Sequence, residues 1–170
     1  MIIMGANPMA SNGSIMTSAG VARRLRDIRQ RGGKLIVIDP RKTETGKIAD
    51  EHYFIKPSYD LYFLLAFLHI LFRDQLVRPG KLTPHLKDFA ALEALITEFT
   101  PAAVAELTGM AAIDIERIVA DYAAAEKAVL YGRMGLSTQT HGGLCHWLIN
   151  LINIVSGNFD TPGGLSLIHI

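Results

Sequence analysis

Residues 33–41 read Gly33-Lys34-Leu35-Ile36-Val37-Ile38-Asp39-Pro40-Arg41. The strand predicted over 34–38 is apolar after its first residue and rich in β-branched side chains. A strand buried on both faces of a parallel sheet requires this pattern. Upstream, Gly32-Gly33 ends a helix predicted over 15–30, whose Ile15, Ala19, Ala22, Leu25 and Ile28 fall at three- and four-residue steps. Before it, Met1 to Met4 reads as a short strand, and Gly5-Ala6-Asn7-Pro8-Met9-Ala10-Ser11 as a turn-rich loop. Strand, helix and strand within the first 38 residues form a βαβ unit, which sets the class as α/β with a mostly parallel sheet.

Downstream, 52–55 reads as a third strand, followed by a helix over 59–73 with Ser58 as its N-cap and Asp60 in the first turn. Helices are predicted over 89–99, 101–107 and 112–125, a fourth strand over 128–131, and a last helix over 141–155 with Leu144, Leu148, Leu151 and Val155 in register. The domain is expected to span 1–164. Residues 165–170 read as a truncated or non-native tail, and both ends read as interior to a longer chain.

The chain has 170 residues, 49% hydrophobic and 19% charged, with a net charge of +1. This is the composition of a globular chain, and its charge balance argues against a nucleic-acid partner. One cysteine, Cys145, excludes a four-cysteine metal or cluster site within these residues. The longest apolar stretch, Leu61 to Phe72, falls well short of the roughly 20 residues of a membrane span. Without a signal peptide the default compartment is cytoplasmic; an export signal further upstream would make it periplasmic.

In a parallel sheet, ligands collect at the carboxyl ends of the strands. Four polar loops are expected there, after Met4, Ile38, Ile55 and Tyr131. In the first, Gly5 lets the backbone pass close to a ligand, and the exposed amides suit a phosphate. In the second, Asp39 is placed to take a sugar hydroxyl or a base N–H, with Arg41 as the cation beside it and Thr43 and Thr45 adding hydroxyl contacts. Equally, Asp39 and Arg41 pair with each other. In the third, Asp60 either accepts from an amino-substituted ring or begins a helix. In the fourth, Gln139 offers a donor and an acceptor. His141 and His146 read as core or cap residues, Cys145 as a small buried one, and Tyr131 and Trp147 as core aromatics. No G-x-G-x-x-G, Walker loop, catalytic triad or H-E-x-x-H is present, which disfavours an ordinary NAD or ATP site.

Taken in order, Gly5-Ala6-Asn7-Pro8, the segment 33–41 with Thr43, Thr45, Ala49 and Asp50, then Pro57-Ser58-Tyr59-Asp60, then Gly135, Gln139 and Gly142, and finally Gly157-Asn158 and Pro162-Gly163-Gly164 resemble an internal segment of the molybdopterin oxidoreductases. That family includes formate dehydrogenases and nitrate reductases. The resemblance implies a Rossmann-like three-layer domain, an incomplete part of a larger multidomain oxidoreductase. It implies molybdopterin guanine dinucleotide with molybdenum or tungsten as cofactor. By motif match, Gly5, Ala6, Asn7, Pro8 and Ser11 would pass the diphosphate. Asp39, Arg41 and Thr43 would meet the guanosine end, and Ser58 and Asp60 would read guanine. Met134, Gly135 and Gln139 would approach the pterin. The metal ligand, and an iron–sulfur cluster where relatives carry one, would lie upstream, so no catalytic or metal-ligating residue is assigned here and the segment alone would be inactive. Its implied partners are the remaining domains of the polypeptide and an electron-transfer subunit.

Two departures stand out. Tyr59 replaces a smaller residue of the family's third motif, and the fourth loop, Gly135 to His141, carries one extra residue. The alternatives are a non-catalytic scaffold resembling the large subunit of respiratory NADH dehydrogenase, and an NAD or thiamine-diphosphate domain.

Overall fold

The computed structural model describes residues 1–165. The expectation for residues 166–170 lies outside the described residues. Four short strands, β1 (Ile2–Met4), β2 (Ile36–Ile38), β3 (Glu51–Tyr53) and β4 (Leu130–Gly132), form one sheet in the order β3-β2-β1-β4. All neighbours are parallel, with Met4 opposite both Ile38 and Gly132. All four strands therefore end on the same rim.

The helices are α1 (Val21–Gln30), α2 (Glu44–Ile48), α3 (Asp60–Arg73), α4 (Phe89–Ile96), α5 (Pro101–Thr108), α6 (Ala112–Ala124), α7 (Met134–Ser137) and α8 (Gly142–Val155). The strand residues alternate between two cores, as the pleat requires. Ile2, Met4, Ile36, Ile38 and Leu130 face a large core with Phe63 and Phe67 of α3, Ile118 of α6 and Ile152 of α8. Ile3 and Val37 face a smaller core with Val21 and Leu25 of α1, against which Tyr131 packs partly buried. The result is the expected layered α/β fold. Among the described residues no helix is long and apolar enough to cross a membrane.

Several boundaries differ from the sequence expectation. The helix predicted from residue 15 starts at Val21, because Asn12, Gly13, Thr17 and Gly20 all take left-handed backbone conformations. Residues 8–20 are consequently a chain of turns, and Ile15 is exposed rather than on a buried helical face. Ser58 is not the cap of α3. It has φ of 73°, and the cap position belongs to Tyr59, which supplies no side-chain bond. The loop after β2 contains the short helix α2, capped by the Thr43 hydroxyl accepting from the Gly46 amide at 3.1 Å. Trp147 and Leu144 lie on the outer face of α8 and are exposed, so Trp147 is no core residue.

The outer edge of β4 is closed by side chains rather than by another strand. The buried Asn153 of α8 accepts from the Leu130 amide at 3.1 Å and donates to the Leu130 carbonyl at 2.9 Å. Asn158 accepts from the Ala128 amide at 3.0 Å. An edge strand bonded in this way is no longer open for pairing with another chain.

Candidate functional site

Parallel pairing brings the loops after β1, β2 and β4, and the start of α3, to one rim. The residues are tied to one another there. The Gly5 amide donates to the Ile38 carbonyl at 3.2 Å, and the Gly5 carbonyl accepts from the Gly135 amide at 2.8 Å. The two glycines are in close backbone contact. A Cβ on Gly135 would stand 2.7 Å from the Gly5 Cα, and Gly5 has φ of 52°. These glycines therefore let loop one and loop four touch. The sequence reading credited Gly5 only with approach to a ligand.

Loop one and loop two are latched together. Asn7 Oδ1 accepts from the Thr45 amide at 3.2 Å and from the Thr45 hydroxyl at 2.8 Å, while Asn7 Nδ2 donates to Glu44 at 2.6 Å. The Met9 amide donates to the same Thr45 hydroxyl at 3.1 Å. Thr45 is thus fully engaged inside the protein, and Thr43 is buried with its hydroxyl on the α2 cap. The Thr45 hydroxyl proton is spent on Asn7, whereas Thr43 uses its hydroxyl only as an acceptor. Glu44 entered no sequence argument. Its spacing from Asn7, 37 residues, gives no local signal.

Asp39 follows β2 directly and is buried, its Oδ1 accepting from the Arg41 amide at 2.8 Å. The expected pairing with Arg41 therefore runs through the Arg41 backbone, and the guanidinium is left exposed. Asp60 opens α3 and is only 2% exposed. Its Oδ2 accepts from Gln139 Nε2 at 2.8 Å, and that same amide also meets the Gly135 carbonyl. Among the described residues neither carboxylate forms an ion pair. Burial raises the pKa of both, and the charge of Asp39 adds to the effect on Asp60. Burial, with the Asp60 charge second, pushes the Cys145 thiol up to about 11, so it stays protonated at neutral pH.

A cavity of about 80 Å³ lies beside this cluster, lined by Gly5, Ala6, Asn7, Pro8 and Ser11, with Tyr131, Arg133 and Met134 among the other walls. All five loop-one candidates thus meet one space. A contact chain runs from Asp60 through Gln139 and Gly135 to Gly5 at its wall. Met134 is exposed at the start of α7, and Ser58 is exposed at the approach to α3. Tyr59 stacks on Tyr62, with ring centroids 5.8 Å apart. His141 precedes α8 without a side-chain cap bond, and His146 lies 2.7 Å from the Ser137 hydroxyl. Sequence reasoning passed over Tyr131 and Arg133 as rim residues, because a strand tyrosine reads as core. A larger cleft, about 870 Å³, opens at the opposite, amino edge of the sheet. Its Lys34 is already paired with Glu51 and Asp121. Among the described residues no group of three His, Cys, Asp or Glu is placed to hold a metal ion.

No family model matches the chain. Among curated proteins it is 29% identical over 170 residues to the probable oxidoreductase YoaE of Bacillus subtilis, covering 99% of this chain and 24% of the relative. It is 26% identical over 162 residues to formate dehydrogenase H of Escherichia coli, covering 95% and 22%. Other formate dehydrogenases and nitrate reductases, from bacteria and archaea, recur among the relatives. The resemblance drawn from the motifs is therefore shown. The chain spans roughly a quarter of the length of the curated relatives it matches. Among solved structures, acetylene hydratase from Pelobacter acetylenicus superposes with a TM-score of 0.81 over 95% of this chain and 22% of that one, at 21% identity. That likeness shows the fold.

Proposed function

We infer that the rim holds the guanosine end of a molybdopterin guanine dinucleotide, and that the chain is the cofactor-binding segment of a molybdenum or tungsten oxidoreductase of the formate dehydrogenase or nitrate reductase kind. The observation that carries this reading is Asp60, a buried carboxylate with a neutral amide as neighbour and, among the described residues, no cation paired with it. Such a group favours a neutral ligand presenting N–H donors, and the guanine edge presents a ring N–H beside an amino group. Asp39, on the neighbouring strand end, suits a ribose hydroxyl. The cavity under Gly5 to Ser11 is lined by the loops after β1 and β4 at the same rim and suits the phosphate linkage.

When bound, the cofactor would supply two-electron redox chemistry at its metal. This chain's residues would bind and orient its nucleotide end. Cys145, buried in α8 with its thiol pKa raised by burial, is given no part in that chemistry. The segment alone is expected to bind without turnover; the remaining domains of the same polypeptide would complete the enzyme, with an electron-transfer subunit as a further partner.

The test is nucleoside binding to the 170-residue chain by calorimetry. Guanosine is expected to bind more tightly than adenosine, which lacks the paired donors. Asp60→Asn is expected to weaken guanosine by about tenfold or more, since one acceptor becomes a donor. Equal binding of the two nucleosides, or indifference to Asp60→Asn, would overturn the reading.

A further inference from the structure

Asp60 is only 2% exposed, so a ligand reaches its carboxylate only after something that covers it has moved. The group bonded to it is the Gln139 side chain. Gln139 Nε2 donates to Asp60 Oδ2 at 2.8 Å and also to the Gly135 carbonyl. Among the described residues no other hydrogen bond holds that side chain.

The two sides of this contact differ in how firmly they are held. Asp60 belongs to the first turn of α3, where Leu61, Phe63 and Leu64 beside it are buried. Gly135 is fixed by its backbone against Gly5, its amide donating to the Gly5 carbonyl at 2.8 Å. Gln139 is half-buried in the turn between α7 and α8, among the exposed Ser137, Thr138, Thr140 and His141. Its backbone is anchored, the amide donating to the Leu136 carbonyl at 3.4 Å and the carbonyl accepting from Gly142 at 3.0 Å. Rotation about its side-chain bonds therefore withdraws the amide from Asp60 while the backbone stays in place.

The amide is also chemically close to the group it would give way to. It is neutral and planar, and it presents two N–H groups. A guanine edge likewise presents a ring N–H beside an amino group. Exchanging one for the other adds no charge to a buried site, and the vacated acceptors gain new donors, which avoids the cost of leaving them bare.

We propose that Gln139 is an internal stand-in for the ligand's donor edge, holding Asp60 before a ligand arrives and displaced when one binds. The identity of that ligand rests on the proposed function; the displacement rests on the burial of Asp60 behind a side-chain amide. The two roles open to Gln139 have opposite signs. Removing a residue that touches the ligand weakens binding. Removing a competitor strengthens it, because only molecules with the amide swung away are competent to bind.

Guanosine binding to the parent chain and to Gln139→Ala, by calorimetry, separates these roles. Gln139→Ala is expected to bind guanosine about tenfold more tightly, the scale of one competing hydrogen bond to a carboxylate. In the parent chain, the Gln139 side-chain N–H signals in NMR are expected to shift and to exchange faster with water at saturating guanosine, while its backbone amide stays protected. This second measurement needs no variant, so it decides the matter even where Gln139→Ala does not fold. Weaker or unchanged binding by a folded Gln139→Ala, or side-chain protons unmoved at saturation, would overturn the displacement and leave the guanosine reading standing. Guanosine binding to neither chain would overturn both. Binding to Gln139→Ala alone would support both, with the amide as the stronger competitor.

Discussion

Gln139 Nε2 donates to Asp60 Oδ2 at 2.8 Å, joining two residues 79 positions apart. Through this bond the turn after β4 reaches the first turn of α3, and the sheet's carboxyl rim becomes one connected surface. The bond also leaves Asp60 with an amide, and no positive charge, to offset its burial.

The pH dependence follows from that arrangement. Asp60 and Asp39 have raised pKa values in the fold, so the folded state holds their protons more tightly than the unfolded chain does. Stability contributed by each is highest below the ordinary carboxylate pKa and falls as pH rises toward the elevated folded value. Asp60→Asn should therefore melt above the parent at pH 7, and the two melting points should converge as pH falls toward about 4. A constant difference across that range would show that the Asp60 charge is not the cause.

Gly135→Ala places a Cβ 2.7 Å from the Gly5 Cα and 2.8 Å from the Gly5 carbonyl oxygen. Backbone on both sides cannot rotate away as a side chain would. The substitution should cost roughly 2 kcal/mol in urea denaturation. Gly143→Ala, where nothing stands within 4 Å of the added carbon, is the matched control and should be close to neutral.

Asn7→Ala removes the latch between loop one and α2, leaving the Thr45 amide without its side-chain acceptor. A loss of about 1–2 kcal/mol is expected. Hydrogen exchange should rise selectively in residues 5–20 and 43–48, with the β1 and β2 amides unaffected. Uniform loss of protection would place the effect in the core instead.

Asn153→Leu should be the most damaging of these changes, at about 3 kcal/mol. It strands the Leu130 amide and carbonyl in a buried environment and removes an acceptor for the Tyr122 hydroxyl. Tyr122→Phe should cost only about 1 kcal/mol, since it deletes the hydroxyl together with its bonds to Asn153 and Ser156. A milder effect for Asn153→Leu than for Tyr122→Phe would mean that the β4 edge finds other partners.

The apolar run at 34–38 sufficed to place β2, because a strand buried on both faces leaves a signature in adjacent residues. The same holds for α3, whose Phe63, Leu64, Phe67, Leu68 and Leu71 are buried as their spacing requires. The start of α1 was not legible. Ile15 and Ala19 carry helical spacing, but the left-handed turns at Asn12, Gly13, Thr17 and Gly20 override it. Trp147 misled for a related reason. Periodicity fixes which residues share a helix face, and neighbouring elements decide how wide a part of that face is covered.

The chain order of its residues determined a parallel α/β sheet and the acidic, glycine-bearing loops at its strand ends, since both depend on local pattern and on the geometry of the βαβ unit. Tertiary structure alone decided which loop residues remain available. Thr45 and Asn7 spend their polar groups on each other and on Glu44, and Thr43 accepts in the α2 cap. Among the described residues, Asp60 keeps a buried carboxyl with no cation beside it, and Tyr131 keeps a hydroxyl with no partner. Whether a polar atom is satisfied depends on what lies within about 3 Å of it, and for these atoms that neighbour comes from a distant part of the chain.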